Sequence, residues 1–328
     1  MSNATTIFNI SGQEFRRIFI QSFTAPTDRP LMDANGKVRS GLIAVSGILL
    51  ISAILWFLMN LSFQYRHSPA PFVLTPWIVV SFSSCVFLGL VLMIRKKTRP
   101  YALIPFFFSL FPLAYLVMAL WGGALREIVP GSAAANGLDW KFIYDCVWIF
   151  IELALTSVFL GISRTGNPFS LSGLRPKIVS GLPMKKFIWF WEGLFIFVVF
   201  TLLVIILWKA RFPLNRFFLL LKYQIPFALL MGLKEELFFR WILVRLGERY
   251  LKSRFVSICI AALIWSGYHG FFGSECVGTG FLPAFWVCVV SFWWSLLSYR
   301  YNSILPAWMG HAVIEFYGFY LMYISFLV

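Results

Sequence analysis

The chain has 328 residues, 60% hydrophobic and only 12% charged, where a soluble domain carries roughly 25% charged residues. Mean hydropathy is +0.81, and apolar runs of about 20 residues, the length that crosses a bilayer as a helix, recur from residue 41 onward. This excludes an ordinary soluble enzyme, and the net charge of +15 does not indicate nucleic acid, because the basic residues gather in short loops between apolar runs.

In chain order, residues 1–40 form a mixed polar tail with Arg16, Arg17, Arg29, Lys37 and Arg39. Phe15 to Phe23 is expected either as a short interfacial helix with Arg16 and Arg17 at the headgroups, or as plain cytoplasmic tail. No apolar core with a small-residue cleavage site precedes the first apolar run, so a cleaved signal peptide is not expected. Spans are predicted at 41–64, 71–94, 101–122, 139–162, 187–208, 217–244, 256–273, 282–298 and 303–326. That makes nine, or eight if one in the N-terminal half is re-entrant or interfacial. The expected fold is all-α, a polytopic transmembrane helical bundle. Its parts are the tail 1–40, N-terminal membrane helices 41–216 and a C-terminal core 217–328.

Orientation follows from the basic loops. Arg95, Lys96, Lys97 and Arg99 follow the second span, Arg164, Arg175, Lys177, Lys185 and Lys186 the fourth, and Arg245, Arg249, Lys252 and Arg254 the sixth. In the nine-span arrangement these lie on one side with the basic tail, and only 209–216, with Lys209, Arg211 and Arg216, opposes it. The N-terminus is therefore expected in the cytoplasm. Cys85, Cys146, Cys259, Cys276 and Cys288 show no paired spacing, so neither a disulfide framework nor a cysteine zinc site is indicated.

The chemistry is concentrated in Met231-Gly232-Leu233-Lys234-Glu235-Glu236-Leu237-Phe238-Phe239-Arg240. Ionisable groups at bilayer depth cost roughly 2.5–3.5 kcal/mol each on insertion scales and mark function by default. On an α-helix Glu236 and Arg240 lie at i and i+4 and can pair. Glu235 is turned about 100° from Glu236 and has no partner in its own helix on that reading. It therefore calls for a proton, a metal or a basic group from another helix, and His269 and His311 are the candidates. Counting the helical rise, Glu235 lies about 16 Å into its span, His269 about 20 Å and His311 about 14 Å, all near the same depth.

These residues also carry a family likeness. Glu235-Glu236-Leu237-Phe238-Phe239-Arg240 reads as EExxxR, Trp265-Ser266-Gly267-Tyr268-His269 as an aromatic-xxx-His element, and Ser303 to His311 as the approach to a third element. In that order, on three of the last four helices, they resemble the CPBP family (also called Abi). That family includes type II CAAX prenyl proteases and bacteriocin-processing or immunity proteins. The likeness covers about 217–326 and implies an intramembrane peptidase in a bacterial cytoplasmic membrane, with its cavity formed by the C-terminal four helices. Two positions depart from the family pattern. Trp265 stands where Phe is usual, and Glu315 stands where the family has an Asn that helps stabilise the oxyanion. A carboxylate cannot donate a hydrogen bond unless protonated.

Catalytic roles are thus expected for Glu235, Glu236, His269 and His311, with Arg240 and Glu315 supporting. Glu235 would act as general base or as a metal-bridging carboxylate, with His269 and His311 as ligands or oxyanion stabilisers. Glu236 and Arg240 would orient Glu235. Two histidines and a carboxylate match a common catalytic zinc set, so a divalent metal on Glu235, His269 and His311 is expected, zinc first, although no HExxH is present. The partners would be the bilayer and a peptide or lipidated protein substrate, not nucleic acid.

Plainer readings stand beside these. A Glu–Arg pair also serves as structural glue, an intramembrane His can simply bond a backbone carbonyl, and Glu315 can be hydrated. His67 reads as solvated. Asp145 and Glu152 share a face of the fourth span, with an ion pair to a neighbouring helix favoured over a cavity-lining role, and Glu192 is placed at the interface. Two further classes remain open: a non-catalytic scaffold or immunity member of the same fold, and a proton-coupled transporter, for which no inverted repeat is visible.

Overall fold

The computed structural model describes residues 40–58, 76–95, 97–128, 138–163, 168–169, 199, 214–251, 253–271 and 281–324. The described residues are helical and contain no strand. The helices are α1 (Ser40–Leu58), α2 (Pro76–Ile94), α3 (Leu103–Phe108, preceded by a 3-10 turn at Arg99–Ala102), α4 (Leu110–Ile128), α5 (Leu138–Ser163) and α6 (Leu214–Glu235). After α6 the chain continues through a π-helical stretch, Glu236–Leu243, into α7 (Val244–Leu251). Then come α8 (Arg254–Ser266) with a second π turn at Gly267–Phe271, α9 (Phe281–Tyr301) and α10 (Leu305–Ile324). The tail 1–39, the fifth expected span 187–208 apart from residue 199, His67 and Glu192 lie outside the described residues.

Among the described residues, Pro76–Ile94 and Phe142–Gly161 are long and apolar enough to cross a membrane, while Ala44–Trp56 and Ala284–Tyr299 are shorter apolar helices. The expected single span 101–122 is instead two pieces, Arg99–Phe108 and Leu110–Trp121, bent by 41°. Pro112 explains the break: it has no N–H to return to Phe108, and its ring crowds the preceding turn. At the corner Ser109 Oγ donates to the Phe106 carbonyl at 2.7 Å. The polarity pattern is that of a chain in lipid. Phe87, Ile94, Val158, Leu263 and Phe285 are exposed, whereas Lys234, Glu235, Glu236, Arg240 and His311 are buried. Apolar helices with lipid-type exposure point to a membrane protein.

Two packing features set the position of the site. The first is an aromatic knot. Phe238 and Phe239, between the carboxylates and Arg240, turn into the N-terminal helices. Phe238 stacks on Phe107 with centroids 4.0 Å apart and meets Phe111 edge-on at 4.2 Å. Trp56 of α1 closes the knot against Tyr268 at 5.2 Å. Each such aromatic pair adds about 0.5–1.5 kcal/mol beyond its buried area, so the π-helical stretch is held from its apolar side. The second feature is the close pairing of α6 with α10. A Cβ on Gly232 would stand 3.1 Å from the Ala312 nitrogen and 3.3 Å from its Cα, so glycine is what lets the two backbones approach beside His311.

The start of α10 is fixed independently. Asn302 takes a left-handed conformation, φ 46°, which Asn tolerates better than most residues and which turns α9 sharply into α10. The turn is tied down by Arg245, which donates to Asn302 Oδ1, and by Ile304 N, which donates to the Pro168 carbonyl at 3.0 Å. On the other side, Tyr250 of α7 donates to the Pro100 carbonyl at 2.6 Å and links the C-terminal helices to the 3-10 turn before α3.

Candidate active site

Glu235 ends α6, and Glu236 opens the π-helical stretch. A π turn widens the helix by one residue, and such turns are frequent at functional sites. It departs from the α-helical geometry assumed from the sequence, yet Arg240 still reaches Glu236, with Nη1 3.4 Å from Oε1 and both side chains fully buried. The guanidinium lies 4.1 Å from the Trp265 ring centroid and 5.3 Å from that of Trp294. Its nitrogens make no well-directed hydrogen bond among the described residues, so Glu236 and two indole faces carry the charge.

His269 sits in the π turn after α8, and His311 in the middle of α10. The structure brings both to Glu235. His269 Nε2 and His311 Nε2 each lie 3.6 Å from the same atom, Glu235 Oε2. The opposite ring nitrogens are both engaged. His269 Nδ1–H donates to the Trp265 carbonyl at 3.1 Å, and His311 Nδ1–H donates to Glu236 Oε1 at 2.8 Å. A carbonyl or carboxylate oxygen only accepts, so each Nδ1 carries a hydrogen and each ring turns its Nε2 toward Glu235. Trp294 stacks on His311 with centroids 4.6 Å apart and fixes the plane of that ring.

Three readings from the sequence change here. Glu236 does more than pair with Arg240 and orient Glu235: it accepts from His311 and orients that imidazole. Glu235 does have a partner in its own helix, Lys234, whose Nζ is 4.0 Å from Oε1. And Trp265 is not a passive replacement for Phe, because its indole N–H donates to Glu235 Oε2 at 2.6 Å. A Phe ring has no such hydrogen to give. Glu152 of α5 meets Lys234 at 3.0 Å, the neighbouring-helix ion pair favoured for it. Asp145, on the same helix, is buried.

Lys234 falls just outside EExxxR, which begins one residue later. The signal was nonetheless present, since a third charge in an apolar run is as exceptional as the two carboxylates beside it. Trp294 carried no signal beyond being one aromatic residue among many.

Glu315 also faces the site, with Oε1 3.3 Å from His311 Nε2. Ligand atoms of Glu235, His311 and Glu315 all lie within 4.8 Å of one another, close enough to share one metal ion. That group has Glu315 in place of His269 of the expected Glu235, His269 and His311, although His269 faces the same oxygen of Glu235.

Residues 217–317 match the family model described as Type II CAAX prenyl endopeptidase Rce1-like. The match supports the CPBP/CAAX protease family for this segment. It contains Glu235, Glu236, Arg240, His269, His311 and Glu315, and excludes Glu152. No curated protein and no solved structure matches the chain.

Proposed function

We propose that the chain is an intramembrane endopeptidase that hydrolyses a peptide bond of a membrane-associated or lipidated substrate, with Glu235 at its centre. The observation that carries this reading is the presentation of two imidazole Nε2 atoms at 3.6 Å from one carboxylate oxygen, each with its other nitrogen already occupied. That separation exceeds a direct hydrogen bond and suits a third atom held between the groups. A water there has Glu235 to take its proton as it attacks a carbonyl. The imidazoles, once protonated, can donate to the oxygen on which negative charge develops. Family membership of the segment puts prenylated C-terminal peptides first among substrates. The basic loops favour a cytoplasmic N-terminus.

The same residues fit a divalent cation. The linked cluster holds four carboxylates, Glu152, Glu235, Glu236 and Glu315, and two cations, Lys234 and Arg240. With every carboxylate ionised and both imidazoles neutral, two negative charges would be left uncompensated in a largely buried place, which is costly without a counter-charge. Glu235, His311 and Glu315 would hold the ion, with His269 facing the shared oxygen. Bound there, zinc would supply Lewis-acid polarisation of the peptide carbonyl and a more acidic water.

A non-catalytic membrane scaffold is the second reading, and Glu315 favours it. A carboxylate 3.3 Å from His311 Nε2, at the position of the family Asn, offers no hydrogen to an oxyanion unless protonated. The test is cleavage of a prenylated peptide and of an unlipidated membrane peptide by detergent-purified protein and its Glu235→Gln variant. Metal content is measured on the same samples. The peptidase reading expects a loss of about 10²–10⁴-fold in kcat for Glu235→Gln. Wild-type turnover by that variant refutes it, and absence of cleavage with biological function retained in Glu235→Ala establishes the scaffold.

A further inference from the structure

We infer that Lys234, held in place by Glu152 of α5, is a positioning residue for the Glu235 carboxylate, so that a helix outside the family-matched segment completes the site. The inference rests on the reading of Glu235 as the central carboxylate of a peptidase. Its physical basis is that the two oxygens of Glu235 have different company. Oε2 receives the Trp265 indole hydrogen at 2.6 Å and faces both imidazoles. Oε1 faces the Lys234 ammonium at 4.0 Å.

A carboxylate held at one oxygen can still swing about that hydrogen bond, because its last torsion is broad and roughly two-fold. A cation beside the second oxygen removes that freedom and keeps Oε2 toward the imidazoles. A lysine alone is a poor clamp, since its ammonium rides on a flexible four-carbon stem. Here the stem has no freedom to spare. The Lys234 side chain is 1% exposed, and Nζ lies 3.0 Å from Glu152 Oε2. It also sits 4.2 Å from the Trp148 ring centroid, another residue of α5. Glu152 thus fixes the lysine, and the lysine fixes Glu235. Lys234 is too deeply buried to meet substrate, so its effect belongs in kcat and not in KM.

The competing explanation is that Glu152–Lys234 is a structural pair and nothing more. Lys234→Met, Glu152→Gln and the double variant separate the two when Tm in detergent is measured beside kcat and KM on one peptide. Lys234→Met leaves Glu152 buried without its cation and lowers both Tm and kcat. The double variant leaves no unpaired Glu152, so most of the Tm loss recovers. Its kcat is expected to stay down by about 10- to 100-fold with KM unchanged, because the carboxylate is still released. Lys234→Arg, which keeps the cation, is expected to regain part of the rate. Recovery of Tm and kcat together in the double variant overturns the proposal, as does Lys234→Met with wild-type kcat.

A second measurement needs no turnover. Tm values of Lys234→Met, Glu235→Gln and their combination are expected to be non-additive, since the groups are in contact. Additive shifts refute the clamp whether or not any peptide is cleaved. Non-additive shifts in a protein that cleaves nothing overturn the peptidase reading and leave the contact standing.

Discussion

Arg240→Ala probes the most deeply buried charge pair of the site. Both partners are fully buried, the pair is 3.4 Å long, and the guanidinium lies 4.1 Å from the Trp265 ring centroid. Removing one partner of a buried pair costs about 3–5 kcal/mol, because the other is left as an uncompensated charge. Loss of the desolvated cation–π contacts adds about 1–2 kcal/mol. His311 offsets part of this, since it still donates to Glu236 Oε1 at 2.8 Å, and a hydrogen bond to a charged group contributes about 1.5–3 kcal/mol. The net expectation is a loss of roughly 3 kcal/mol, which for a chain of this size lowers Tm by about 5–10 °C. The assay is thermal unfolding in detergent of wild type, Arg240→Ala and the double variant Glu236→Gln/Arg240→Met. The double variant should recover most of the loss, because replacing a buried ion pair by neutral groups of similar volume is often close to neutral. It should not recover activity, because His311 loses the charged acceptor that orients it. An unchanged Tm for Arg240→Ala would refute the burial and pairing on which this reasoning rests.

Two other perturbations test the geometry from different sides. Gly232→Val places branched carbon where even a Cβ stands 3.1 Å from the α10 backbone, so α6 and α10 must separate; a cost of about 1–3 kcal/mol in Tm measurements and loss of peptidase activity are expected, and a variant with normal Tm and activity would show that the close approach is not required. Glu315→Asn restores the family residue and removes one carboxylate from the Glu235, His311 and Glu315 group; titration with zinc should show affinity reduced by at least about tenfold, and unchanged affinity would exclude Glu315 as a ligand.

Composition and the placement of charge suffice to give the class of molecule and most of the candidate site residues. Composition excludes a soluble fold, and the rarity of charge in apolar runs singles out Glu235, Glu236, Arg240, His269 and His311. Helical rise alone puts the carboxylate and the two imidazoles at one depth, and each imidazole Nε2 lies 3.6 Å from Glu235 Oε2. Helix ends were less legible. The 101–122 run reads as one apolar span because hydropathy does not register the missing N–H of Pro112 that bends it by 41°.

Which side chain faces which is a matter of packing. Side-chain direction at 235 and 236 depends on the π turn that begins there, and no periodicity in the sequence announces a change from i+4 to i+5 bonding. His311 is oriented by Glu236 and not by Glu235, because the close packing of α6 and α10 at Gly232 brings that carboxylate to the δ nitrogen. The Trp265 hydrogen bond to Glu235 spans 30 residues of sequence. Lys234 reaches Glu152 in a helix far earlier in the chain. Such contacts are long-range by nature: each residue type states what bond it can make, but its partner is chosen by how the helices pack, and that is settled by the apolar surfaces of the whole bundle.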